Sequence, residues 1–119
     1  MFWSISCPFK CTYCGNTKFI GNDKSYRVFR SPSVELLIRE FKMVLAHHPH
    51  ILTNVFHDHS LIALPSQSLE QFSQRFREKI GVPFCVQGVI QYYVRANNLE
   101  NLLGDGLNRI RMGIRIGDQ

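Results

Sequence analysis

Residues 51–90, ILTNVF HDHS LIALPSQ SLEQFSQRFREKI GVP FCVQGVI, decide the fold. Ile51 to Phe56 has the composition of a strand and ends in a polar turn, His57-Asp58-His59-Ser60. Ser68 and Gln71 have the spacing of a capping box. Leu69, Phe72, Phe76 and Ile80 then recur on one helical face. Gly81 is a natural helix stop, with Pro83 just beyond it. Phe84 to Ile90 is a second apolar strand. A strand, a helix and a strand in this order predict parallel strands joined by a right-handed crossover.

The same alternation continues on both sides. Upstream, Ser31-Pro32 reads as a helix start, with serine at the cap and proline in the first turn. Val34, Leu37, Ile38, Phe41, Val44 and Leu45 form one stripe, and Pro49 ends it. Residues 2–6 are short, apolar and strand-like, and Gly15 to Arg30 reads as an extended polar loop. Downstream, a short helix around Asn98 to Leu103 stops at Gly104. Arg109 to Ile116 reads as a strand with Ile110, Met112, Ile114 and Ile116 on one face. The expected order is β-α-β-α-β-α-β: one α/β domain over residues 1–119, with about four parallel strands and three helices. The pattern leaves an open sheet and part of a barrel as alternatives. In both, ligands belong at the C-terminal ends of the strands. The loop after residue 6, the His57–Ser60 turn and the Gly117-Asp118-Gln119 end should therefore share one rim.

Composition narrows the classes. The 119 residues are 45% hydrophobic and 19% charged, which is globular and not disordered. No apolar run is long enough to span a bilayer. The N-terminus lacks the basic region and longer apolar stretch of a signal peptide. The expectation is a cytoplasmic protein with reduced thiols. The formal charge of +5 is scattered along the chain, so neither a nucleic-acid arm nor a membrane-binding run is evident.

The chemistry-bearing motif is Cys7-Pro8-Phe9-Lys10-Cys11-Thr12-Tyr13-Cys14. Three thiolates on one short loop can hold three irons of a 4Fe–4S cluster and leave the fourth iron open to a small molecule. Zinc is the competing ligand. It prefers four closed ligands, and Cys85 or a histidine would have to supply the fourth. A dithiol redox reading of Cys11-Thr12-Tyr13-Cys14 ignores Cys7.

A strand that leads into this motif, with an aromatic before the third cysteine, resembles the radical S-adenosylmethionine enzymes. Cys7 to Asn16, followed by Arg30-Ser31-Pro32, is similar to the subgroup often joined to a cobalamin-binding domain. Gly106-Leu107 and Arg111 to Asp118 are similar to that subgroup's fourth strand. The resemblance implies that Cys7, Cys11 and Cys14 ligate the cluster and that Tyr13 lies beside the adenine of S-adenosylmethionine. It places Asp58 near the methionyl amino group, and Gly113, Arg115 and Gly117 near the ribose or carboxylate. It further implies reductive cleavage of S-adenosylmethionine to a 5′-deoxyadenosyl radical that abstracts hydrogen from a substrate. An external reducing electron donor is required, and cobalamin would enter only through a further domain. The subgroup usually continues Gly113-Ile114 with an amide or acid and then Ser-Gly-Ser. This chain has Arg115-Ile116-Gly117-Asp118. The family core is a six-unit partial barrel, so this chain is expected to be its N-terminal part and not competent alone.

Other residues carry plainer expectations. Cys85 reads as a small buried hydrophobe. His47, His48 and His50 suit a helix end. His57-Asp58-His59 suits a polar turn, a metal or a proton relay. Arg111 and Arg115 share a face and would line a polar cavity or an anion site, or else lie on an unconstrained surface. Tyr92, Tyr93, Met43 and Met112 read as packing residues.

Overall fold

The structure, a computed structural model, describes residues 1–58, 61–88, 98–104 and 106–112. Three strands pair in parallel in the order β1 (Asn54–Val55), β2 (Phe84–Gln87), β3 (Leu107–Arg111). The helices are α1 (Gly15–Asn22), α2 (Val34–His47), α3 (Ser66–Lys79) and α4 (Asn98–Leu103), with a 3-10 turn at Leu61–Ala63. The α/β class and the parallel pairing agree with the sequence. Among the described residues no helix is long and apolar enough to cross a membrane.

Register explains which face is buried. Asn54 lies beside Phe84 and Val55 beside Cys85. Phe84 lies beside Leu107, and after a one-residue irregularity Cys85 meets Arg109, Val86 meets Ile110 and Gln87 meets Arg111. Side chains alternate along a strand. Phe84, Val86 and Leu107 therefore join the core, while Cys85, Gln87, Arg109 and Arg111 share the other side and stay partly or fully exposed. This sheet is thus covered on one side by helices.

The covered side holds five phenylalanines and the single tryptophan. Phe56, Phe72, Phe76 and Phe84 are fully buried, with Phe41 and Trp3 nearly so. Their rings meet mostly edge to face: Phe41–Phe76 at 5.1 Å and 87°, and Phe56–Phe84 at 5.9 Å and 90°. Each buried ring contributes about 1.5–3 kcal/mol through area alone, and edge-to-face pairs add about 0.5–1.5 kcal/mol each. On the helices' outer side Arg75 pairs with Glu35, a half-exposed bridge that joins α3 to α2.

Several local expectations are corrected. Residues 2–6 are not a strand. Only Met1 joins the sheet: its ammonium donates to Val55 O at 2.8 Å and its carbonyl accepts from His57 N at 2.8 Å. The chain then turns away through an antiparallel bridge between Ile5 and Arg30. The expected loop from Gly15 to Arg30 contains α1. Its end is stabilised by Arg27, which donates to Ile20 O at 2.8 Å and Gly21 O at 2.6 Å. That tertiary cap outweighs the poor helix propensity of Gly15, Asn16 and Gly21.

Helix α2 is capped by Ser33 and not Ser31, with Ser33 Oγ accepting from Leu36 N at 3.3 Å. The Pro32 carbonyl is held instead by the Trp3 indole N–H at 3.1 Å. Helix α3 begins two residues before Ser68, with Pro65 at the cap, so the Ser68–Gln71 box is not formed. Strand β1 is shorter than residues 51–56, because Ile51 N is used in a turn to His48 O. Strand β3 starts at Leu107. Helices α2, α3 and α4 end just before Pro49, Gly81 and Gly104, the stops that the sequence offers. Val89 and Ile90 of the expected third strand, and residues 113–116 of the fourth, lie outside the described residues.

Candidate functional site

Met1 lies beside the C-terminal end of β1, so the segment that follows it leaves the sheet at the same rim as His57-Asp58. Asp58 fixes that relation. Its side chain is fully buried. Both carboxylate oxygens accept from Trp3 N at 3.0 Å, and Oδ1 also accepts from Ser4 N and Ser4 Oγ. A carboxylate is acceptor-only, and backbone N–H groups are well suited to compensate its buried charge. Trp3 and Ser4, the residues that lead toward the cysteine loop, are thereby held against the Asp58 turn.

Beyond Ser4 the chain makes a sharp change of direction. Ser6 has a φ of 80°, in the left-handed region that non-glycine residues seldom occupy. It is buried, and its hydroxyl has no hydrogen-bond partner among the described residues. Cys7 follows immediately. The loop is closed by Cys14 N donating to Cys11 O at 3.1 Å and by Thr17 Oγ1 donating to the same carbonyl at 2.6 Å. Helix α1 then begins directly after Cys14, so its N–H groups and positive end face the loop.

Cys7, Cys11 and Cys14 are all half-buried and none is in a disulfide. Burial pushes the Cys7 thiol up. The Phe9 backbone N–H pulls it the other way, and charge at Cys11 and Cys14 adds to the rise. Among the described residues no three or more His, Cys, Asp or Glu side chains stand together as a group that could hold a metal ion, Cys7, Cys11 and Cys14 included. The donor set fits an iron–sulfur cluster in its chemistry: three soft, unpaired thiols on one loop.

A cavity of about 540 Å³ opens beside the loop, lined by Cys7, Pro8, Lys10, Thr17, Ile20 and Arg27 among others. Tyr13 is 62% exposed on the loop. Gly113, Arg115 and Gly117, like His59, Tyr92 and Tyr93, lie outside the described residues. Cys85 is half-buried on β2, on the sheet side away from Phe84 and Val86. His47 Nδ1 bonds to Met43 O at 2.8 Å, and the His48 and His50 rings lie 5.9 Å apart, which suits a helix end. His57 is exposed against the Phe2 ring at 5.8 Å.

Sequence reading singled out the cysteines and Asp58 but missed Ser4, Ser6, Thr17 and Arg27. The available signal was Ser4-Ile5-Ser6 directly before Cys7: small hydroxylated residues in an otherwise apolar run. No protein-family model matches the chain, and no curated protein matches it.

Proposed function

We propose that this chain is part of a radical S-adenosylmethionine core domain, with Cys7, Cys11 and Cys14 holding a 4Fe–4S cluster. The observation that carries the reading is the loop itself. Three half-buried thiols, none in a disulfide, lie on one short loop that runs directly into the N-terminus of α1. On this reading the three described strands belong to a partial barrel, and the side bearing Cys85, Gln87, Arg109 and Arg111 faces its interior. When bound, the cluster supplies an electron for reductive cleavage of S-adenosylmethionine.

The protein's own part is to bind and orient. Trp3, Ser4 and Asp58 hold the base of the loop, and Thr17 closes its far end. Tyr13 is the residue proposed to lie beside the adenine. Gly113, Arg115 and Gly117 are proposed for the rest of S-adenosylmethionine. The substrate is unnamed and a reducing partner is required.

Anaerobic reconstitution with iron and sulfide tests the reading. The expected product is brown, with about four irons per chain, the content of a cubane cluster. Cys11→Ala should lose it, whereas Cys85→Ala should keep it. A colourless chain that takes up one zinc and no iron would replace this reading with a non-catalytic metal-binding one.

A further inference from the structure

We propose that Asp58 is the positioning residue of the cysteine loop, holding Trp3 and Ser4 so that the Ser6 turn sets the orientation of Cys7. The purpose assigned to that positioning rests on the iron–sulfur reading, and the hydrogen bonds themselves do not.

Three observations carry it. First, Met1 is the last N-terminal residue bonded to the sheet backbone, through Val55 and His57. Beyond Phe2, the Trp3 and Ser4 amides have the Asp58 carboxylate as their acceptor. A side chain therefore takes over where the ladder stops. Second, Asp58 is fully buried, and the bonds described for it come from Trp3 and Ser4 alone. A buried carboxylate is costly unless its acceptors are filled, so both partners are held firmly. Third, the strained residue follows at once. A non-glycine residue at φ 80° with a buried, unpartnered hydroxyl persists only where its surroundings over-determine it. Those surroundings are the Asp58 clamp on Ser4 and the Ile5–Arg30 bridge, with bonds of 2.9 and 3.3 Å. Cys7 is the first residue beyond the strain. Asp58 thus acts through the loop, and its oxygens are already engaged by protein donors.

The test uses the full, reduced, metal-free chain. Asp58→Asn removes the charge and one of the two acceptor oxygens, and puts an NH2 donor in its place. Ser4→Ala removes only the hydroxyl. Hydrogen exchange over residues 3–5 is read alongside the alkylation rate of Cys7 relative to Cys85 in the same molecule. Asp58→Asn should speed exchange by about tenfold or more, the loss expected for a bond to a charged group. It should also raise the Cys7:Cys85 ratio several-fold, while α2 and α3 keep their protection. Ser4→Ala should move both readouts the same way by less.

An unchanged ratio in both variants, with residues 3–5 exchanging faster, would overturn the proposal. If Asp58→Asn unfolds α2 and α3, Ser4→Ala decides alone, and an unchanged ratio there overturns it. Iron uptake separates the two readings. A wild-type chain that takes up no iron sinks the cluster reading and leaves the thiol result standing. Full and equally fast uptake by a folded Asp58→Asn chain sinks the positioning role.

Discussion

The Trp3 indole packs against the Phe72 ring with centroids 4.8 Å apart. This contact joins the segment that leads into the cysteine loop to the middle of α3. Phe72 also meets Phe56 at 5.6 Å, Phe76 at 4.9 Å and Phe84 at 5.5 Å, so it links three elements and the loop base. Phe72→Ala should cost about 3–5 kcal/mol, the range for emptying a buried phenylalanine site. A small domain has about 5–15 kcal/mol in total, so most of the stability goes. Urea denaturation followed by Trp3 emission measures it, since Trp3 is the only tryptophan. A loss under about 1 kcal/mol would show that Phe72 is not central to this core.

Gly81 ends α3 at a φ of 68°, with its N–H donating to Phe76 O at 3.0 Å. A Cβ there would meet Arg77 O at 3.9 Å, an ordinary contact. The cost of Gly81→Ala is therefore conformational, about 1–2 kcal/mol for a left-handed residue. The expected outcome is a lower midpoint with an unchanged denaturant slope, as the surface exposed on unfolding stays the same.

The particular elements show what the sequence made legible. Apolar periodicity located α2 and α3 because a helix stripe is a local pattern set by core contact. Proline and glycine marked their ends because those constraints are also local. The start of α2 was displaced because Trp3 holds the Pro32 carbonyl, a contact 29 residues apart in sequence. Helix α1 was hidden because its C-terminal cap comes from Arg27, beyond its own residues. The strand expected at residues 2–6 was apolar enough to pair, but the turn at Ser6 and the bridge to Arg30 take it off the sheet. At the site, the sequence singles out the three cysteines and Asp58 as residue types but not what Asp58 bonds to. That Asp58 and Ser4 meet across 54 residues was not, because no local pattern encodes it.

Asp23, just beyond α1, titrates below the usual carboxylate range. The Ser25 hydroxyl is the main cause, followed by the Ser25 backbone N–H, with smaller help from Tyr26 and Arg30. A carboxylate pKa lowered on folding contributes stability above its ordinary value, lost as pH falls through the lowered one. The Asp23 side chain is solvent-exposed, so the effect is local. Side-chain carboxyl NMR should show the low titration, and Ser25→Ala should move it back up toward the usual range. An unchanged titration in Ser25→Ala would remove the hydroxyl as the cause.

Ser6 offers a trade between stability and site geometry. Its φ of 80° is easier for glycine, and its buried hydroxyl has no partner among the described residues. Ser6→Gly removes both penalties, about 1–2 kcal/mol for the left-handed backbone and about 1–3 kcal/mol for the unsatisfied group. Against that stands about 0.5–1 kcal/mol of extra chain entropy in the unfolded state. The metal-free chain should therefore gain about 1 kcal/mol or more, read as a raised thermal midpoint. The same freedom should loosen the backbone just before Cys7 and, on the proposed iron–sulfur reading, weaken iron retention against a chelator. A variant that is more stable yet holds iron less well would tie the strain at Ser6 to the loop's task. If Ser6→Gly lowers the midpoint, the left-handed serine is not a source of strain in this fold.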